Sequence, residues 1–119
     1  MKILIVGAGI GGMTAGLALL DAGFEVEVYE RADALAEVGA GIQISPNGVK
    51  VLQCLGLGEA LERVAFRPLA LEMRLGRSGM KLFDIPMRDE APRRYGAPYY
   101  HLYRPDLMAI LRDALARLA

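Results

Sequence analysis

The sequence is poor in the residues from which disulfides and metal centres are built. Its 119 residues include one cysteine, Cys54, and one histidine, His101. A single thiol excludes an internal disulfide. A zinc site needs several His or Cys side chains at fixed spacing, so no metal centre is expected. Cys54 lies between Leu52 and Leu55 and is expected to be a small buried hydrophobe. Neither sign of charge is in excess: 14 basic residues balance 14 acidic ones, without long runs of one sign. That balance leaves no electrostatic footprint for nucleic acid or for an anionic membrane surface. With 54% apolar and 24% charged residues, the composition is that of a globular chain rather than a disordered one. The length suits one domain with a modest core.

Ile3 to Leu20 is a run of 18 residues without a charge, which resembles a membrane span or a signal peptide. Five of the 18 are glycines, Gly7, Gly9, Gly11, Gly12 and Gly16. Glycine costs about 1 kcal/mol per helical position relative to alanine, which argues against one continuous helix. A strand, a glycine turn and a helix account for the same residues, and the protein is read as soluble and cytoplasmic.

Lys2 to Val6 is a β-branched run suited to a strand buried on both faces. Met13 to Ala22 has helical spacing, closed by Gly23, and Glu25 to Glu30 alternates as a second strand. Together they form a βαβ unit. Residues 31 to 40 are expected to be a loop with one helical turn, followed by a short extended segment from Gly41 to Ile44. Ser45-Pro46 predicts a helix start, with the Ser hydroxyl as cap, and Gly56 a left-handed stop after Leu55. A short helix is expected near Glu59 to Val64. Leu69 to Leu75 and Met80 to Ile85 flank Gly76-Arg77-Ser78-Gly79 as a hairpin. Residues 86 to 98 hold three prolines and are expected to be a loop, before a strand from Tyr99 to Tyr103. Asp106 to Leu118 carries Leu107, Ile110, Leu111, Ala114, Leu115 and Leu118 at helical spacing. That apolar face is expected to lack part of its cover in this chain.

The chemistry is concentrated in Gly7-Ala8-Gly9-Ile10-Gly11-Gly12, which satisfies G-x-G-x-x-G between a strand and a helix. Gly7 permits the tight turn, Gly9 lets the backbone approach a pyrophosphate, and Gly12 lets the helix pack close to the strand. The helix start adds free N–H groups and a partial positive charge. Glu30 stands 18 residues after Gly12, at the end of the second strand. There it can accept hydrogen bonds from adenosine ribose hydroxyls and repel a 2′-phosphate; the alternative is a solvated strand end. Arg31 can lie along adenine or ribose, or pair with a surface acid. The motif means a dinucleotide and leaves FAD and NAD both open.

Three segments in order resemble the FAD-dependent aromatic-ring hydroxylases, the flavoprotein monooxygenases that include salicylate hydroxylase. These are the opening from Gly7 to Gly16 with Glu30-Arg31, the stretch Glu37 to Gly48 with its Gly-Ala-Gly-Ile and Ser-Pro-Asn, and Tyr103-Arg104-Pro105-Asp106-Leu107. Gly48 replaces the family's usual Ala, and Tyr103 its common His. The resemblance covers essentially the whole chain. It implies an α/β fold: a Rossmann-like, glutathione-reductase-like FAD-binding unit with the start of a substrate-side β-sheet. In those terms residues 1–119 are a partial FAD-binding domain, and the 69–85 hairpin belongs to the substrate-side sheet. It also implies that Arg104 contacts the flavin and that Ile42 lies near it. NADH or NADPH would reduce FAD, and the reduced flavin would use oxygen to hydroxylate a small aromatic substrate. The family's later Asp-Gly and Gly-Asp pairs occur nowhere in the sequence. The expectation is therefore an incomplete, amino-terminal part of the enzyme, with the carboxy-terminal portion of the same enzyme missing and no catalytic acid or base of its own. Tyr95, Tyr99, Tyr100 and Tyr103 are read as packing residues. The competing readings are an NAD-dependent dehydrogenase or reductase and a non-catalytic remnant of a monooxygenase.

Overall fold

A computed structural model of the chain describes residues 1–32 and 40–118. The β-branched run Lys2–Val6 forms β1, and Glu25–Tyr29 forms β2, its parallel partner, with Lys2 opposite Glu25 and Val6 opposite Tyr29. They are joined by α1, Ile10–Asp21, which starts three residues before the expected Met13. Gly23, at φ +86°, turns the chain out of α1 in a conformation that L side chains rarely adopt.

The expectation of a strand buried on both faces fails for β1. Leu4 is 59% exposed and Val6 90%. The cause lies in what packs where. Ile5 faces α1 beside Gly12 and Gly16, while β2 is the only strand paired with β1 among the described residues. The face that carries Leu4 and Val6 is left to solvent.

A second, antiparallel pair joins β3, Gly41–Ile44, to β6, Tyr100–Tyr103, with Ile42 opposite Leu102 and Gln43 opposite His101. Between them in sequence run α2, Pro46–Cys54, and α3, Gly58–Val64, separated by Gly56 at φ +80°. Two expectations are corrected here. The Ser45 hydroxyl makes no cap bond to the helix and instead donates to Asn47 Oδ1. Cys54 is exposed, because α2 directs Val49 and Leu52 into the core and leaves Cys54 outside that stripe.

The hairpin consists of β4, Ala70–Arg74, and β5, Lys81–Pro86. Its pairs alternate in character. Leu71 faces Ile85 and Met73 faces Phe83, whereas Glu72 faces Asp84. Residues 90–95, expected as loop, form the short helix α4, Glu90–Tyr95. Pro92 is tolerated because it sits in the first turn, where amides have no intrahelical partner. Gly96, at φ +77°, ends it.

The longest helix is α5, Arg104–Leu118. Its apolar face is better covered than expected. Leu107, Leu111 and Ala114 are buried, and only the last turn, with Leu118 at 58% exposure, leaves the core. The cover is α1. A Cβ on Gly16 would stand 3.3 Å from Leu115 Cδ2, so the missing side chain is what lets the two helices approach. Met13 and Leu17 of α1, Val49 and Leu52 of α2, Leu61 of α3, and Tyr100 and Leu102 of β6 complete one apolar cluster with α5.

Candidate cofactor site

The turn between β1 and α1 has the geometry that a phosphate cradle requires. Gly7, at φ +101°, accepts a conformation open to glycine, and its N–H donates to Tyr29 O at 2.7 Å, tying the turn to the end of β2. A Cβ on Gly12 would lie 1.9 Å from the Gly7 carbonyl oxygen, so α1 enters against the turn itself. Gly9 differs: a Cβ there meets nothing within 4 Å. It is the N-cap of α1 in an extended conformation, without a side-chain cap bond. The first amides of a helix lack intrahelical partners and carry partial positive charge. Open space beside Gly9 and amides at the helix start are what a pyrophosphate needs, so the residues present fit the diphosphate of a dinucleotide.

Glu30 stands beside this turn. Its Oε2 accepts the Ala8 N–H at 2.7 Å, and its Oε1 accepts the Ala32 N–H at 3.1 Å. These bonds, the one from Ala8 above all, hold its carboxyl below the usual carboxylate range, with help from the charge of Arg31. Glu30 is thereby anionic and fixed, with lone pairs left over on both oxygens. Arg31 is exposed next to it.

Ile42 and Arg104 belong to the other strand pair. Ile42 is half-buried, pairs with Leu102, and packs against the same apolar cluster that holds Ala8 and Ile10 of the turn. It also lines, with Gly41, Gln43, His101 and Leu102, a cleft of about 490 Å³. Arg104 opens α5 directly after β6, and its N–H donates to Ala40 O at 3.0 Å. The turn, through Ala8, and the β3–β6 ladder, through Leu102 and Ile42, thus share one core; Gly7, Gly9, Gly12, Glu30 and Arg31 belong to the first and Ile42 and Arg104 to the second. Residues 37 to 39 of the Glu37–Gly48 segment lie outside the described residues.

Several features have no signal in the sequence. The Ala8 contact to Glu30 uses a main-chain N–H, which any residue provides. Tyr99 donates to Gln43 Oε1 at 2.9 Å across 56 positions. A larger cleft, about 1010 Å³, opens between the start of α2, at Asn47 and Lys50, the end of β5 at Ile85 and Pro86, and the aromatic pair Tyr95 and Tyr99. Of the four tyrosines read as packing, Tyr100 is buried, while Tyr95 and Tyr103 are more than half exposed.

Comparison with known proteins identifies the family. A family described as an FAD binding domain matches residues 1–116. The chain is 44% identical over 115 residues to a 3-amino-4-hydroxybenzoate 2-monooxygenase of Streptomyces cremeus, covering 97% of this chain and 29% of that protein. It is 40% identical over 114 residues to a 6-hydroxynicotinate 3-monooxygenase of Pseudomonas fluorescens, covering 96% of this chain and 30% of that protein. Among solved structures, Klebsiella pneumoniae HpxO complexed with FAD and uric acid superposes with a TM-score of 0.83 at 33% identity, over 98% of this chain and 29% of that one. The chain spans about three-tenths of the length of these relatives. With a glycine turn shaped for a diphosphate and a family match over nearly every residue, the chain belongs to the FAD binding domain family, alongside the FAD-binding parts of flavin-dependent aromatic monooxygenases.

Proposed function

We propose that this chain is the FAD-binding portion of an NAD(P)H-dependent monooxygenase that hydroxylates a small aromatic substrate with molecular oxygen. The observation that carries the reading is the pairing of Gly9, open to solvent, with Gly12, closed against Gly7, inside a chain that matches an FAD binding domain throughout. FAD, when bound, supplies the redox chemistry by which oxygen is activated. The chain's own residues bind and orient. The amides at the start of α1 hold the pyrophosphate beside Gly7, Gly9 and Gly12. Glu30, fixed by Ala8, accepts from the adenosine ribose hydroxyls and disfavours a 2′-phosphate, and with FAD in this place NADH or NADPH is taken elsewhere. Arg31 flanks the adenosine. Arg104 contacts the flavin, and Ile42 lies near it.

The hairpin around 69–85 is the beginning of the substrate-side sheet. Leu71, Met73, Phe83 and Ile85 form an apolar row, each more than 40% exposed. Two-stranded hairpins are marginal without a packed face, and further sequence of the same enzyme covers this one. The cleft bounded by Asn47, Pro86 and Tyr99 supplies one wall for the aromatic substrate. Among the described residues no helix is long and apolar enough to cross a membrane, and the enzyme works in the cytoplasm.

The test is Glu30→Ala in the full-length polypeptide. FAD affinity should fall, while the Michaelis constant for the nicotinamide cofactor stays nearly unchanged. The reverse pattern would favour a dehydrogenase that holds NAD at this turn.

A further inference from the structure

The roots of the hairpin are fastened to the flavin-side unit by side chains that the cofactor site does not use. Arg88, just after β5, donates from Nε and Nη2 to the Arg67 carbonyl oxygen, at 3.0 and 2.8 Å. The Arg67 side chain then turns towards α3, where Nη2 donates to both carboxylate oxygens of Glu62, at 2.9 and 3.0 Å. Glu62 also accepts from the hydroxyl of Tyr100, which is buried on β6 at 2% exposure. The Arg67 guanidinium lies 5.7 Å from the centre of the Tyr100 ring. A second route runs parallel to the first. The Arg88 guanidinium lies 5.5 Å from the Phe66 ring, and Phe66 exchanges two backbone bonds of 2.8 Å with His101 on β6.

We propose that Arg88, Arg67, Glu62 and Tyr100 form a clasp that sets the angle of the β4–β5 hairpin relative to β6, and that they are positioning residues for the substrate-side wall. The significance for substrate rests on the hairpin's place in the proposed function; the clasp itself does not depend on FAD. The main-chain bonds at the root, from Met87 N–H and Arg88 N–H to Leu69 O at 2.9 and 3.3 Å, close the hairpin on itself and say nothing of its direction. Among the described residues, the side chains of Arg88 and Arg67, together with the ring and main chain of Phe66, link the root to α3 and β6. Arginine suits both posts because its several N–H donors deliver two bonds, from Nε and Nη2 of Arg88 to one carbonyl and from Nη2 of Arg67 to both oxygens of one carboxylate.

The experiment uses the exposed native thiol of Cys54 on α2 and a second thiol, Ser78→Cys, at the hairpin tip. Spin labels at both sites give a distance distribution by double electron–electron resonance. The expected result is one narrow distribution for the parent, which broadens in Arg88→Met and again in Tyr100→Phe. Arg88→Lys, which keeps the charge and one donor nitrogen but loses the fork, falls between. A control pair, Cys54 with Asp21→Cys at the end of α1, should stay narrow in every variant. An unchanged hairpin distribution in both Arg88→Met and Tyr100→Phe would overturn the clasp. Equal broadening of the control pair would overturn it too, by showing general loosening. FAD titration of the same samples reports on the cofactor reading separately. Loss of flavin binding with an intact hairpin distribution would strike that reading and leave the clasp standing.

Discussion

Gly9 and Gly12 belong to the same motif, yet the same substitution should damage them in different ways. In Gly12→Ala the new Cβ would stand 1.9 Å from the Gly7 carbonyl oxygen and 3.0 Å from its carbon. Real contacts of this kind stay beyond 3.0 Å, so α1 or the turn must shift by more than 1 Å. Both are main chain, and neither can rotate away. Overpacking of this sort costs about 1–3 kcal/mol. For a domain of this size that lowers the melting temperature by roughly 4–20 °C. In Gly9→Ala the Cβ meets nothing within 4 Å and the backbone is already extended, at φ −75° and ψ −175°. The folded chain should lose only the difference between glycine and alanine as an N-cap, about 0.5–1 kcal/mol. The space it fills is the space assigned to the pyrophosphate, so FAD affinity should fall at least about tenfold, or roughly 1.4 kcal/mol. Thermal melts followed by circular dichroism, and flavin fluorescence titrations of the parent and both variants, separate the two effects. Equal melting losses for both would refute the geometric argument. A Gly9→Ala variant that keeps parental flavin affinity would refute the placement of the diphosphate.

Glu30→Gln tests the electrostatics of the same turn. Its carboxyl lies below the ordinary Glu value of 4.5, chiefly through the Ala8 N–H. Its stabilising bond is therefore complete above that value and is lost as pH falls through the lower folded value. Acid titration by circular dichroism should show the parent losing stability in that window and the variant losing less; identical acid limbs would count against it. On α5, Leu111→Ala should cost about 2–5 kcal/mol because the side chain is fully buried. Leu118→Ala, more than half exposed, should stay within about 0.5 kcal/mol. Equal urea midpoints for the two would show that α1 does not cover that face. Finally, the 119 residues given FAD, NADH and an aromatic acid should show no substrate-stimulated NADH oxidation, since they span about three-tenths of the relatives' length. Turnover by these residues alone would overturn their reading as one portion of the enzyme.

Local patterns carried much of this structure, and the departures have definite causes. The βαβ unit was legible because its signals agree: a β-branched run, glycine at fixed offsets, helical spacing, then alternation. Gly56 as a stop and the hairpin around Ser78 were legible as turn chemistry. The burial of β1 was misread because residue type reports what a strand can bury, whereas exposure depends on which neighbours are present, and Val6 has none on its outer face. The helix α4 was hidden by Pro92, a breaker everywhere except in the first turn, where it falls. Cys54 was assigned by its neighbours in sequence, but helical spacing, not adjacency, decides which residues share a face. The proposed site residues Gly7, Gly9, Gly12 and Glu30 are legible because a diphosphate turn asks for glycine at fixed offsets and a ribose for an acid at a strand end. The clasp from Arg88 to Tyr100 gave no signal, since a surface arginine with a partner and one without look alike in a string of letters.

The contact between Gly16 and Leu115 has a consequence for the order of assembly during synthesis. The helix whose first amides we propose as the diphosphate site is buttressed by a helix almost the whole chain away. Emerging residues 1 to 32 can pair β1 with β2, but the apolar cluster that buries Met13 and Leu17 is complete only when α5 leaves the ribosome. Such a distant closure is slow relative to local pairing. The glycine turn is tied early, through Tyr29 and Glu30, whereas the helix behind it gains its contact with Leu115 only when α5 arrives.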